Sequence, residues 1–162
     1  MKFGVLGDAK IAREKLLPAI RAAGHEVTHV GRRDPSAGVN PVWGDVRVAP
    51  YEDVLADPDV DAIYNPLPNH LHVPMTIAAL EAGKPVICEK PVALSVAELD
   101  ALAAAAARTC LGVCDGSRVR HPRQEWRPPS PIRRSPMAMY VMWRPGVAAR
   151  SAISAAIRFW PE

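Results

Sequence analysis

Absent from this 162-residue sequence is any run of about eighteen apolar residues, which excludes a conventional membrane-spanning helix. The opening MKFGVLGDAK is too short an apolar stretch, and too soon charged, to read as a signal peptide. Cysteine is scarce: Cys88, Cys110 and Cys114 are too few and too irregular for a disulfide framework. They also miss the paired CxxC spacing of a structural zinc site, so no metal is expected and a reducing cytoplasm is the expected setting. Lysine does not occur after Lys90. Phe, Tyr and Trp together make up only 6% of the chain. With 49% hydrophobic and 23% charged residues the composition is nonetheless that of a folded globular protein.

The net charge of +3 conceals a division. Residues 1–112 carry 11 Lys+Arg against 14 Asp+Glu, a balance of −3, whereas residues 113–162 carry 9 against 3, a balance of +6, all nine cations being arginine. Hydrophobic periodicity divides the chain at the same place. Before residue 112, β-like runs at Lys2–Leu6, Glu26–Val30, Val46–Val48, Val60–Tyr64 and Pro85–Cys88 alternate with helical patterns at Lys10–Ala23, Glu52–Leu55, His70–Ala82 and Val96–Arg108. Ser95 and Glu98 have the spacing of a capping box for the last of these helices. Such alternation predicts an α/β fold, a doubly wound parallel sheet of the Rossmann type. Residues 113–162 hold seven of the 17 prolines and predict an irregular Pro/Arg-rich tail, with one possible helix at Val147–Ile157. The expected organisation is therefore a dinucleotide-binding domain over 1–112 followed by a tail over 113–162.

The turn after the first strand reads Gly7-Asp8-Ala9-Lys10-Ile11-Ala12. Against the GxGxxG/A pattern, Gly7 supplies the tight turn, Ala9 is small enough for backbone N–H groups to approach a pyrophosphate, and Ala12 allows close packing of helix on strand. The following helix start supplies free N–H donors to an anion. About 20 residues further, at the tip of the second strand, a carboxylate would bind the ribose of NAD. Here Gly31, Arg32 and Arg33 stand there, and guanidinium groups suit the 2′-phosphate of NADP; Asp34 leaves NAD possible.

Two further segments carry a family resemblance. Val60-Asp61-Ala62-Ile63-Tyr64-Asn65-Pro66-Leu67-Pro68-Asn69-His70-Leu71-His72 resembles the DAVYIxLPNxxH segment of the Gfo/Idh/MocA oxidoreductases. Ala82-Gly83-Lys84-Pro85-Val86-Ile87-Cys88-Glu89-Lys90-Pro91 is similar to the family's AGKHVLCEKP signature. The resemblance covers roughly residues 2–110. It implies that Gly7, Ala9, Lys10, Ile11 and Ala12 hold the pyrophosphate and that Arg32 and Arg33 meet the adenosine ribose. It further implies that Leu67, Pro68, Asn69 and His72 line the crevice, that Glu89 and Lys90 lie by the nicotinamide ribose, and that Pro91 fixes a bend, often cis. Lys90 is the implied catalytic residue, reaching the substrate hydroxyl as hydride leaves a sugar or polyol carbon.

The family's second domain, with its large sheet and histidine acid/base, has no counterpart here. His121, in Val119-Arg120-His121-Pro122-Arg123, does not carry that pattern. Where family members often read MEAF, this chain reads Cys114-Asp115-Gly116-Ser117, and a one-base shift of suitable codons would restore Met-Glu-Ala. A truncated or frameshifted product is therefore expected, the alternative being a genuine short protein with a basic tail. Three functions remain open: an NADP-linked sugar or polyol oxidoreductase, a non-catalytic NADP-binding fragment, or a nucleic-acid binder using Arg118–Arg150. The last lacks any fold or stacking platform. The expected partners are a nicotinamide dinucleotide and, only with a second domain, a small sugar-like substrate. No membrane partner is expected, and an uncovered sheet edge favours self-association.

Overall fold

The computed structural model describes residues 1–109 and 113–115. Residues 116–162, with the expected helix at Val147–Ile157, the arginines from Arg118 to Arg150 and His121, lie outside the described residues, as does Cys110. Six parallel strands form one sheet: β1 (Lys2–Leu6), β2 (Glu26–Gly31), β3 (Arg47–Ala49), β4 (Ala62–Asn65), β5 (Val86–Cys88) and β6 (Val113–Asp115), in the order β3-β2-β1-β4-β5-β6. Strand β6 pairs parallel with β5, so the sheet continues three residues past Gly112. Chain order runs outward from β1 in one direction and then resumes on its other side, so the carboxyl edge between β1 and β4 is a topological switch point. Open α/β sheets bind their ligands there.

Both faces of the sheet are covered, and the period-2 alternation of each strand decides which residue meets which face. Phe3, Val5, Ala62, Tyr64 and Ile87 join one core cluster with Leu16, Leu17, Ile20, Val30 and Trp43. Leu6, Ile63, Val86 and Cys88 join the other with Val54, Leu80 and Leu102. The second cluster is roofed by α2 (Tyr51–Ala56), α3 (His72–Glu81) and α4 (Val96–Thr109).

The first helix departs from the regular one expected over Lys10–Ala23. Residues 10–22 are helical, but Ala12–Leu16 form a π-helical turn before α1 (Leu17–Ala22), and the Leu17 N–H donates to the Ala12 carbonyl. Pro18 explains the departure: it has no N–H to give the preceding turn, and a widened turn absorbs the loss. The capping box at α4 also differs. Ser95 Oγ accepts from the Glu98 N–H at 3.2 Å, but the Glu98 carboxylate reaches past Ser95 to the Leu94 N–H at 2.6 Å. Among the described residues no helix is long and apolar enough to cross a membrane, and no group of three or more His, Cys, Asp or Glu is placed to hold a metal ion.

Candidate functional site

The β1 turn begins at Gly7, whose φ of +95° a side chain would strain. Its N–H donates to the Gly31 carbonyl at 2.8 Å, pinning the turn to the tip of β2. A Cβ at Gly7 would also lie 3.2 Å from Leu67 Cδ2, so the turn runs close against the loop after β4. Lys10 and Ile11 are exposed at the helix start, and Ala12 is fully buried beneath it.

Around Asp8 three segments meet. Its Oδ1 accepts from Arg13 Nη1 at 2.6 Å and from the Trp43 indole N–H at 2.7 Å, and its Oδ2 accepts from the Asn40 N–H at 2.9 Å. Arg32 Nη1 stands 3.7 Å from the same Oδ2 and donates to the Gly38 carbonyl. Arg13 Nη1 additionally donates to the Asp8 carbonyl. Burial alone would raise the Asp8 carboxyl, but the hydrogen bonds from Trp43, Arg13 and Asn40 outweigh it and hold the group below the usual carboxylate range. The neighbouring β2-tip acid behaves differently. Asp34 caps the short 3-10 turn Pro35–Ala37, accepting from the Ser36 N–H at 3.0 Å and the Ser36 hydroxyl at 2.6 Å. Arg33, exposed, makes no hydrogen bond or ion pair among the described residues.

The other side of the crevice is built largely from buried contacts to the backbone. Asn65, fully buried at the end of β4, donates to the His72 carbonyl and to Thr76 Oγ1, both at 3.1 Å, while its Oδ1 accepts from the Leu67 N–H at 3.3 Å. One side chain thereby fastens the 65–71 loop to α3. The His72 ring is 1% exposed and clasps two loops: Nε2 lies 2.6 Å from the Leu67 carbonyl and Nδ1 2.7 Å from the Pro91 carbonyl. The Lys90–Pro91 peptide is cis. Glu89 sits between its own strand and β4: its N–H donates to the Asn65 carbonyl at 3.0 Å, and its Oε1 accepts from the Tyr64 hydroxyl at 2.6 Å. Burial, then the hydrogen bond to Glu89, push the Tyr64 phenol above its ordinary range. Lys90 is exposed, and its ammonium has no partner among the described residues.

Residues 1–113 match the model of an oxidoreductase family with an NAD-binding Rossmann fold, Gfo/Idh/MocA. The chain belongs to the Gfo/Idh/MocA family. It is 41% identical over 133 residues to an uncharacterized oxidoreductase, ORF334, of Rhizobium meliloti, covering 76% of this chain and 38% of that protein. It is 39% identical over 105 residues to a D-xylose 1-dehydrogenase (NADP(+)) of Haloferax volcanii, covering 63% of this chain and 32% of that one. Its fold is similar to that of KijD10, a 3-ketoreductase from Actinomadura kijaniata whose crystal structure holds TDP-benzene and NADP. The TM-score is 0.69 at 34% identity, over 76% of this chain and 40% of that one. The chain thus spans roughly a third of the length of the family members it matches.

As a Gfo/Idh/MocA domain, the structure gathers Gly7, Ala9, Lys10, Ile11, Arg32, Arg33, Leu67, Pro68, Asn69, Glu89 and Lys90 along the carboxyl ends of β1, β2, β4 and β5. Pro68 and Asn69 are exposed there, whereas Leu67 is buried. His72 is set apart from the crevice surface: both ring nitrogens are occupied by backbone carbonyls, so it holds the walls together rather than lining them. Asp8, Trp43, Asn65 and Tyr64 were not singled out from the sequence. Asn65 and Tyr64 lay inside the DAVYIxLPN resemblance, but nothing in spacing pairs Asp8 with Trp43, 35 residues away.

Proposed function

We propose that this Gfo/Idh/MocA domain binds NADP in preference to NAD, and that it serves an oxidoreductase acting on a sugar or polyol-like carbon. The observation that carries the cofactor preference is at the β2 tip. The one carboxylate there, Asp34, holds the Ser36 N–H and hydroxyl through Oδ1, while the Arg33 guanidinium is exposed and unpaired among the described residues. A free guanidinium favours a 2′-phosphate, and the one carboxylate at that tip is turned through its Oδ1 onto its own turn. The NADP named for the xylose dehydrogenase and bound to the ketoreductase supports the same reading.

The residues present fit the dinucleotide. Gly7 to Ala12 would cradle the pyrophosphate with backbone N–H groups, Arg32 and Arg33 would meet the adenosine ribose, and Leu67 to Asn69 with Glu89 would wall the crevice. Bound there, NADP supplies a hydride acceptor or donor. Lys90 carries an unpaired ammonium beside Glu89, suited to donating a hydrogen bond to a substrate oxygen and favouring its alkoxide form. The alternative reading is a non-catalytic NADP-binding module. Titrating NADP and NAD against the 162-residue chain tests the cofactor assignment: equal affinities would refute it. Turnover with a panel of aldoses and polyols then separates enzyme from module.

A further inference from the structure

The Asp8 carboxylate lies within the phosphate-binding turn, where a negative charge would oppose an anionic ligand. An uncommitted carboxylate at this place would repel a 2′-phosphate and would itself accept a ribose hydroxyl, the behaviour of an NAD site. Asp8 is not uncommitted. Arg13, Trp43 and Asn40 supply three donors within 2.9 Å of its two oxygens, and Arg32 stands 3.7 Å away. These groups come from three places: the first helical turn, the 38–44 loop at two points, and the β2 tip. Trp43 is 1% exposed, and its indole N–H, which can only donate, finds its partner in Asp8. Arg32 Nη1 is held from two sides, by Asp8 and by the Gly38 carbonyl. Its Nε and Nη2 groups are left without partners among the described residues.

We propose that Asp8 is a specificity-determining positioning residue: by gathering Arg32 and the 38–43 loop onto the phosphate turn, it presents the β2-tip cations to a 2′-phosphate. This rests on the NADP reading above and deepens it. The carboxylate's charge is absorbed by its own donors, so its effect on the ligand runs through the placement of Arg32 rather than through direct repulsion. Simple electrostatics makes the opposite prediction, since removing a negative charge should tighten binding of a phosphate.

The test is Asp8→Asn in the 162-residue chain, with NADP and NAD affinities measured by fluorescence titration and folding checked by circular dichroism. NADP binding should weaken about tenfold, as for loss of one charge-assisted contact, while NAD binding stays within about twofold. In an Arg32→Ala background the same Asp8→Asn change should no longer alter the NADP-to-NAD ratio, because the residue through which it acts is gone. A role confined to general stability would leave the effect in place and would overturn the proposal, as would unchanged or tighter NADP binding by Asp8→Asn. Trp43→Phe, which keeps the carboxylate but removes one donor, should shift the ratio in the same direction by a smaller factor; it decides the matter if Asp8→Asn does not fold. Failure of the unmutated chain to bind either dinucleotide would sink the cofactor reading itself, a result distinct from an NADP preference that survives Asp8→Asn.

Discussion

The two sides of the crevice are built by different physics. On one side, around the tips of β1 and β2, order comes from charge: Asp8, Arg13 and Arg32 with an indole and a backbone donor, and Arg33 beyond them. On the other side, around the tips of β4 and β5, order comes from buried hydrogen bonds made mostly to backbone: Asn65 to the 65–71 loop and α3, His72 to the Leu67 and Pro91 carbonyls. Part-exposed charge pairs are weak and screened by salt, whereas buried polar groups are costly to orphan. The exposed Arg33 on the β1–β2 side can therefore be changed with little loss of fold, and the buried contacts of the β4–β5 side cannot.

Breaking the buried side should have the largest effect. Asn65→Leu leaves the Leu67 N–H and the His72 carbonyl without that partner in a site that is 0% exposed. A loss of about 3–5 kcal/mol of folding stability is expected, read by urea unfolding of the chain. A loss below about 1 kcal/mol would mean that the loop is held by something else. Next comes His72→Leu, which strips both carbonyls of their ring partner; about 2–3 kcal/mol should be lost, with weakened binding of both dinucleotides alike. A selective loss of NADP alone would contradict the contrast drawn between the two sides.

Arg33→Ala should behave in the opposite way. Stability should stay within about 0.5 kcal/mol, as for an exposed, unpaired side chain. NADP affinity should fall about tenfold, less at high salt, and NAD affinity should hold. The smallest effect is acid lability confined to the charged clusters. Asp8 is held low by the donors already described. Asp57 is held low first by the Asp59 N–H, against some burial, and then by His29 and Arg47. A carboxyl depressed in the folded state contributes fully above its unfolded value of about 3.9, and its contribution is lost as pH falls through the lower folded value. Amide exchange at 38–44 should therefore accelerate below about pH 4, before exchange at 65–72 does. Simultaneous loss of protection in both would show that the two sides open as one unit.

Much of this was legible along the chain. The first five strands lay within a residue or two of their expected places, because fully covered parallel strands read as apolar runs and β1, β4 and β5 are buried throughout or nearly so, whereas β6 falls in the segment expected to be irregular. The β1 turn was legible because Gly7 needs a positive φ that glycine adopts most easily. The bend in the first helix was only partly so: Pro18 announces a missing donor, but the compensation depends on how the turn packs on the sheet. Asn65 and Tyr64 read as ordinary members of a motif, since burial and partners across 7 to 25 residues do not show in spacing. His72 read as a crevice residue for the same reason.

The order of residues alone set the alternation of strand and helix, the small residues of the turn after β1 and the cations at the β2 tip. Each depends on steric rules or charges acting within a few residues. Only the tertiary structure decided which of those charges were already committed. Asp34 turns one oxygen onto its own turn, two residues on. Asp8 is consumed by a tryptophan and a backbone N–H that the β2–β3 connection carries back over the turn. Hydrogen bonds form between groups that folding brings within about 3 Å, and a linear pattern records a carboxylate's presence but not whether its lone pairs are taken.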